Sequence, residues 1–195
     1  MELSHNQLKQ IEEFAKEKMK NNDLSHRSHH ILRTIHISNV LAIKEKADII
    51  KCTVIAWLHD IEKNKEEQGL NHGDEGAKSA TEFLEKIGLK KQDIEDIAYA
   101  IKRHNKSAPH KTIESKIIWE ADKLQAIGVE GLLRIYGHYV SSGLGLKEAY
   151  EKITQEQTFF SKRFKTKTGR KFAKKRYKFF KKMMKEYEKE FNVKK

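Results

Sequence analysis

Apolar residues recur along most of the chain at the three-and-four spacing of helices that bury one face. Leu8, Ile11, Phe14 and Ala15 mark the first such segment, opened by Ser4-His-Asn-Gln7, which has the form of a capping box. Asn21-Asn-Asp-Leu interrupts it. A second helix is predicted from about 25 to 46, with Ile31, Ile35, Val40, Leu41 and Ile43 as core contacts. A third, 48–60, places Ile50, Val54, Trp57 and Leu58 on one side. The polar stretch 62–73, with breakers at Gly69 and Gly73, reads as a loop. Helices are then expected at 74–87, 91–103, about 114–124 and from Gly128 to Ser141, with loops around Pro109 and at 141–145. The closing helix, about 168–191, carries Ala173, Tyr177, Phe180, Met184, Tyr187 and Phe191 at alternating steps of four and three, a packing stripe. No strand-like alternation, internal repeat or low-complexity linker interrupts the pattern. The expectation is an all-α fold in one domain, 1–195, with a core at about 20–142 and a C-terminal helical extension at about 146–193.

Composition sharpens this picture. A single proline among many Lys, Glu, Leu, Ile and Ala residues suits helices. No apolar run reaches the ~18 residues of a membrane span, so no membrane partner is expected. The amino terminus lacks the charged-then-apolar pattern of a secretory signal. The one cysteine, Cys52, lies in an apolar helix and reads as simply buried, so a cytoplasmic location is expected. The net charge of +12 is uneven: residues 161–195 hold 16 basic and 3 acidic residues, whereas residues 1–160 hold 24 and 25. Such a segment is either the solvated face of a Lys-rich helix, the favoured reading, or an attraction for phosphate-rich partners.

Chemistry concentrates in three segments. His59-Asp60 closes the apolar third helix, where two neighbours, set ~100° apart on a regular helix, are able to reach one ion. His30 and Asp122 stand in helical segments upstream and downstream, and Asp122 lies in an apolar helix where an unpaired carboxylate is costly. Two imidazoles and two carboxylates suit a divalent metal with positions left for water. Arg33 follows His30 by one helical step of three, so a cation for a substrate phosphate stands beside a ligand, or else pairs helices at the surface.

In order and context, His30, His59-Asp60 and Asp122 resemble the H…HD…D signature of the HD-domain metal-dependent phosphohydrolases, closest to the small single-domain bacterial and archaeal HD hydrolases. The segments that carry the likeness are His30-Ile-Leu-Arg-Thr34, Ala56-Trp-Leu-His-Asp60 and Glu120-Ala-Asp-Lys-Leu-Gln-Ala-Ile-Gly128, together with the tail from Thr168. It covers roughly residues 20–192. The resemblance implies a compact helical bundle and a hydrolase that cleaves a phosphate ester of a nucleotide or small phosphorylated metabolite through metal-activated water. It implies His30, His59, Asp60 and Asp122 as metal ligands, and Mn, Mg, Fe, Co or Ni as the ion. Whether the enzyme is a phosphomonoesterase or a phosphodiesterase stays open, as does its oligomeric state.

Some positions depart from the family pattern. Where some branches place Glu three residues after His-Asp, this chain has Lys63, as several phosphodiesterase branches do, with its acid, Glu62, one position early. Lys63 is thus a candidate to hold a phosphate or protonate a leaving oxygen, and Asp60, Lys63 and Arg33 form the expected catalytic set. Arg27 and Gln125 replace aspartates of the pattern without removing a ligand, and His26 is a candidate neighbour of the ligands. His72-Gly-Asp-Glu-Gly-Ala77 and His104 resemble elements that serve a second metal or the substrate, although one ion is favoured over two. The competing function is a catalytically silent HD-fold protein that binds nucleotide or nucleic acid through the basic C-terminal helix. Nucleic acid is the less favoured partner, since no aromatic stacking platform stands outside the apolar stripe.

Overall fold

Capping residues set the helix ends in the computed structural model, which describes residues 1–21, 28–107 and 109–191. Helix α1 (His5–Lys18) begins at the capping box, with the Ser4 hydroxyl accepting from the Gln7 amide and the Gln7 side chain accepting from the Ser4 amide. Helix α2 (Ser28–Glu45) is followed by α3 (Ile49–Leu58), whose first turn is capped by the Asp48 carboxylate on the Lys51 amide at 2.9 Å. A 3₁₀ turn, Lys63–Gln68, leads into α4 (His72–Lys86), capped by the Asn71 side chain on the Asp74 amide. Then come α5 (Lys91–Arg103), α6 (Ile113–Ala126), α7 (Val129–Ser141), α8 (Leu146–Ser161) and α9 (Lys167–Phe191). No strand occurs among the described residues, so the fold is all-α.

The chain divides into two compact units, residues 1–122 and 123–195. In the first, α2 packs on α3, α4 on α5, and α3 against both α1 and α5. Ile11, Ile31, Val54, Ile55, Leu58, Leu84, Ile97, Ile101 and Ile118 are buried together there. Phe14 and Phe83 stack at 4.0 Å between centroids, an aromatic contact worth about 0.5–1.5 kcal/mol beyond the area it buries. In the second unit, α7, α8 and α9 pack on one another around Ile153, Phe180 and Met184.

Three local expectations change. Ile43 is exposed, because the buried stripe of α2 runs through Ile31, Thr34, Ile37, Ser38 and Leu41, and Ile43 lies about 200° around the helix from Leu41. Gly73 does not break a helix; it is the second residue of α4. The segment 62–73 is not a simple loop, since Lys63–Gln68 winds as a 3₁₀ helix. Cys52 is a buried free thiol, as expected, and burial raises its pKa.

Candidate metal centre

Four of the candidate side chains are delivered by helix ends. His59 caps the C-terminus of α3 and His104 that of α5, while His72 is the first residue of α4 and Asp60 lies just past α3. His30 comes from the first turn of α2 and Asp122 from the body of α6. A close approach makes the gathering possible. A Cβ on Gly73 would stand 3.2 Å from Asn105 Oδ1, Asn71 Oδ1 and the Lys102 carbonyl, so the start of α4 nests directly against the end of α5.

The two C-cap histidines share one device. His59 Nδ1 donates to the Ala56 carbonyl at 2.8 Å, and His104 Nδ1 donates to the Ile101 carbonyl at 2.6 Å, each three residues back. Both are last-turn carbonyls, and that of Ile101 also accepts from the His104 amide at 3.3 Å. A carbonyl only accepts, so the proton sits on Nδ1 and each Nε2 presents a lone pair inward. His72 follows the same rule with a different partner, its Nδ1 facing the Glu66 carboxylate.

Asp60 lies between two groups of donors. Its Oδ2 is 3.6 Å from His30 Nε2 and 3.4 Å from His59 Nε2, and His30 Nε2 is 3.5 Å from Asp122 Oδ1. On the other side Oδ1 is 3.2 Å from His104 Nε2 and 3.5 Å from His72 Nε2, and those two nitrogens are 2.9 Å apart. Ligand atoms of His30, His59 and Asp122 lie within 4.8 Å of one another, as do those of Asp60, His72 and His104. All but Asp122 are buried.

Electrostatics favours a cation at this spot. Burial pushes the His59 imidazole down to about 4, and burial together with the neighbouring His104 pushes His72 down to about 4, so both are neutral at pH 7. Burial alone would raise the Asp60 carboxyl, but His59, His104 and His30 outweigh it and hold it well below the usual carboxylate range. His59 Nε2 is buried with no hydrogen-bond partner among the described residues. Lone pairs of His59, His72 and His104 thus converge on carboxylate oxygens that are also acceptors. An ion of positive charge resolves that repulsion, and imidazole with carboxylate is a donor set for divalent first-row metals.

The other candidates are placed as follows. Arg33 is half-buried on α2, one turn beyond His30. Lys63 Nζ is 2.8 Å from Glu66 Oε2, so a chain of contacts runs from Lys63 through Glu66 to His72. Glu62 stands apart from this chain; its Oε1 accepts from Lys18 Nζ and Ser79 Oγ, both at 2.6 Å, and ties α1 to α4. Glu120 is fully buried. His26 and Arg27 lie outside the described residues. Sequence reasoning missed Glu66. Its signal was its place six residues before His72 in a stretch too charged to suggest order.

Similarity to known proteins spans these residues and most of the chain. The family model described as "HD domain" matches residues 27–127. The uncharacterized protein YpgQ of Bacillus subtilis (strain 168) is 25% identical over 197 residues, covering 94% of this chain and 93% of its own. A crystal structure described as a predicted HD superfamily hydrolase from an uncultured Thermotogales bacterium matches with a TM-score of 0.72 and 25% identity, over 95% of this chain and 93% of the other. The crystal structure of B. subtilis YpgQ in complex with ADP matches with a TM-score of 0.80 and 23% identity, over 96% of each chain.

Proposed function

The chain belongs to the HD-domain family, and from that premise we propose that it is a metal-dependent phosphohydrolase acting on a nucleotide or small phosphorylated metabolite. Kinship with HD superfamily hydrolases supports a hydrolase in general terms. The observation that carries the finer reading is the Asp60 carboxylate set between two groups of imidazole and carboxylate donors. We assign His30, His59, Asp60 and Asp122 to one divalent ion, and Asp60, His72 and His104 to a second. The sequence favoured one ion; the 2.9 Å approach of His72 and His104 beside Asp60 Oδ1 favours two.

Divalent ions bound there would supply Lewis acidity, which lowers the pKa of water towards about 7 and offsets charge on phosphoryl oxygens. The protein's own groups do the rest. Ala56, Ile101 and Glu66 fix the Nδ1 protons and so aim the Nε2 lone pairs of His59, His104 and His72. Arg33 orients the phosphate beside His30. Lys63, engaged by Glu66, holds that carboxylate on His72 and adds positive potential at the edge of the site. Nucleotide is the favoured substrate class because a protein of the same fold has been crystallised with ADP.

Phosphate release from nucleoside mono-, di- and triphosphates and from phosphodiester reporters, across Mn, Mg, Fe, Co and Ni, tests the assignment. Turnover should require a divalent ion and disappear in Asp60→Ala. Metal-stimulated turnover that survives Asp60→Ala overturns it.

A further inference from the structure

The charge on α9 is one-sided. Between Lys167 and Lys185 the sequence holds ten lysines and arginines and no acid. Ala173, Phe180 and Met184 are buried along one side of the helix, with Tyr177 and Tyr187 half-buried in the same stripe. Lys171, Lys175, Lys178, Lys182 and Lys185 recur at steps of four and three around the cylinder from that stripe, and all are exposed. Lys167, Lys174 and Lys181 form an exposed row beside them. At ~1.5 Å per residue this face runs for roughly 27 Å.

A merely solvated Lys-rich helix offsets its charge with acids one turn away. Elsewhere this chain does so, with Lys9–Glu13 and Lys16–Glu12 on α1 and Lys78–Glu75 on α4. On α9 the neighbours one turn apart are instead alike, as in Lys167–Lys171, Lys171–Lys175, Lys174–Lys178 and Lys178–Lys182, an arrangement that costs helix stability. None of these lysines has an acidic partner among the described residues; beyond the face, Lys189 pairs with Glu186 at 3.0 Å. Phe179 is 53% exposed, one turn from both Lys175 and Lys182, so an aromatic ring does stand outside the apolar stripe, contrary to the sequence expectation. The apolar stripe is used in packing on the other helices of its unit, so α9 has no apolar side left to lie in a bilayer.

We propose that this face of α9 is a docking surface for single-stranded nucleic acid, with lysines on the phosphodiester backbone and Phe179 stacked on a base. Cations flanking an exposed ring match the two contacts that single-strand binding uses, a charged track and a stacking partner. Recognition of this kind is independent of sequence and does not call on the candidate metal ligands.

The test uses the full chain with EDTA present, so the result does not depend on the hydrolase assignment. Fluorescence anisotropy of a labelled single strand of about 20 nucleotides is followed between about 50 and 200 mM KCl. Contact with about five phosphates gives a log–log salt slope near −3.5, or binding roughly 100-fold weaker at the higher salt. Lys171→Glu, Lys175→Glu, Lys178→Glu and Lys182→Glu combined should abolish binding with an unchanged helical circular-dichroism spectrum. The milder Lys175→Gln, Lys178→Gln, Lys182→Gln set should reduce the slope by about two. Phe179→Ala should weaken binding at least about fivefold. Absence of binding at the lower salt, a flat salt dependence, or full binding by either lysine variant overturns the proposal. So does capture by phosphatidylserine vesicles at physiological salt where the oligonucleotide is ignored.

Discussion

Replacing Gly73 by alanine separates the packing of the centre from its chemistry. The added Cβ would sit 3.2 Å from two asparagine oxygens and from the Lys102 carbonyl, tighter than ordinary contact by a few tenths of an ångström. The Asn105 side chain is able to turn aside, but Asn71 Oδ1 is held as the cap on the Asp74 amide. The carbonyl cannot move without the last turn of α5, from which His104 hangs two residues later. Overpacking of this kind costs about 1–3 kcal/mol. Alanine returns about 1 kcal/mol of helix propensity at a position inside α4. The net loss of about 0–2 kcal/mol lowers Tm by up to about 8 °C. Metal sites tolerate ligand displacements of only about 0.2 Å, so the group of Asp60, His72 and His104 should suffer more than the fold. Isothermal titration with Mn²⁺ should show two binding events in the native chain. In Gly73→Ala one of them should be weakened by roughly 10- to 100-fold, the loss typical when an orienting contact is removed. Gly137→Ala is the control: nothing lies within 4 Å of its Cβ position inside α7, so it should gain about 0.4–1 kcal/mol and bind metal normally. If Gly73→Ala behaves like Gly137→Ala in both respects, the nested approach of α4 and α5 does not set the ligand geometry.

Three further outcomes follow from named contacts. Glu66→Gln, and to a smaller degree Lys63→Met, should weaken one metal-binding event by about 10- to 100-fold, read by titration calorimetry, while leaving apo Tm nearly unchanged. Glu62→Gln should be less stable than the native chain at neutral pH. Lys18 and Ser79 outweigh burial and hold its folded pKa below 4.5, so the native chain's advantage is present above about pH 4.5 and fades as pH falls through that lower value; a Tm–pH series checks the convergence. At about 100 times its dissociation constant, a bound ion adds about 2.7 kcal/mol. EDTA should therefore lower Tm measurably in the native chain and leave Asp60→Ala unmoved.

Much of this architecture is written in side-chain spacing, and the exceptions have physical causes. The capping box at Ser4 and the periodicity of α5 and α9 are local, so the chain displays them openly. The stripe of α2 is harder to read because Thr34 and Ser38 occupy buried positions that an apolar pattern does not mark. Gly73 misleads for the opposite reason: its lack of a side chain serves contact between helices, not a turn. The candidate ligands were legible as a set because His59-Asp60 ends an apolar run abruptly. Their division into two groups about Asp60 is a property of three-dimensional placement alone. Glu66 was invisible because its worth depends on a 3₁₀ turn that charged residues do not announce.

Anchoring two imidazoles to last-turn carbonyls of α3 and α5 couples this centre to the fraying of those helices. Unwinding one turn at either end would release the carbonyl, free the ring to spin, and carry a nitrogen away from the cluster. Occupancy of the cluster should accordingly slow hydrogen exchange most at the amides around residues 56–60 and 101–104, so that the ends of two helices, rather than their middles, report whether the centre is filled.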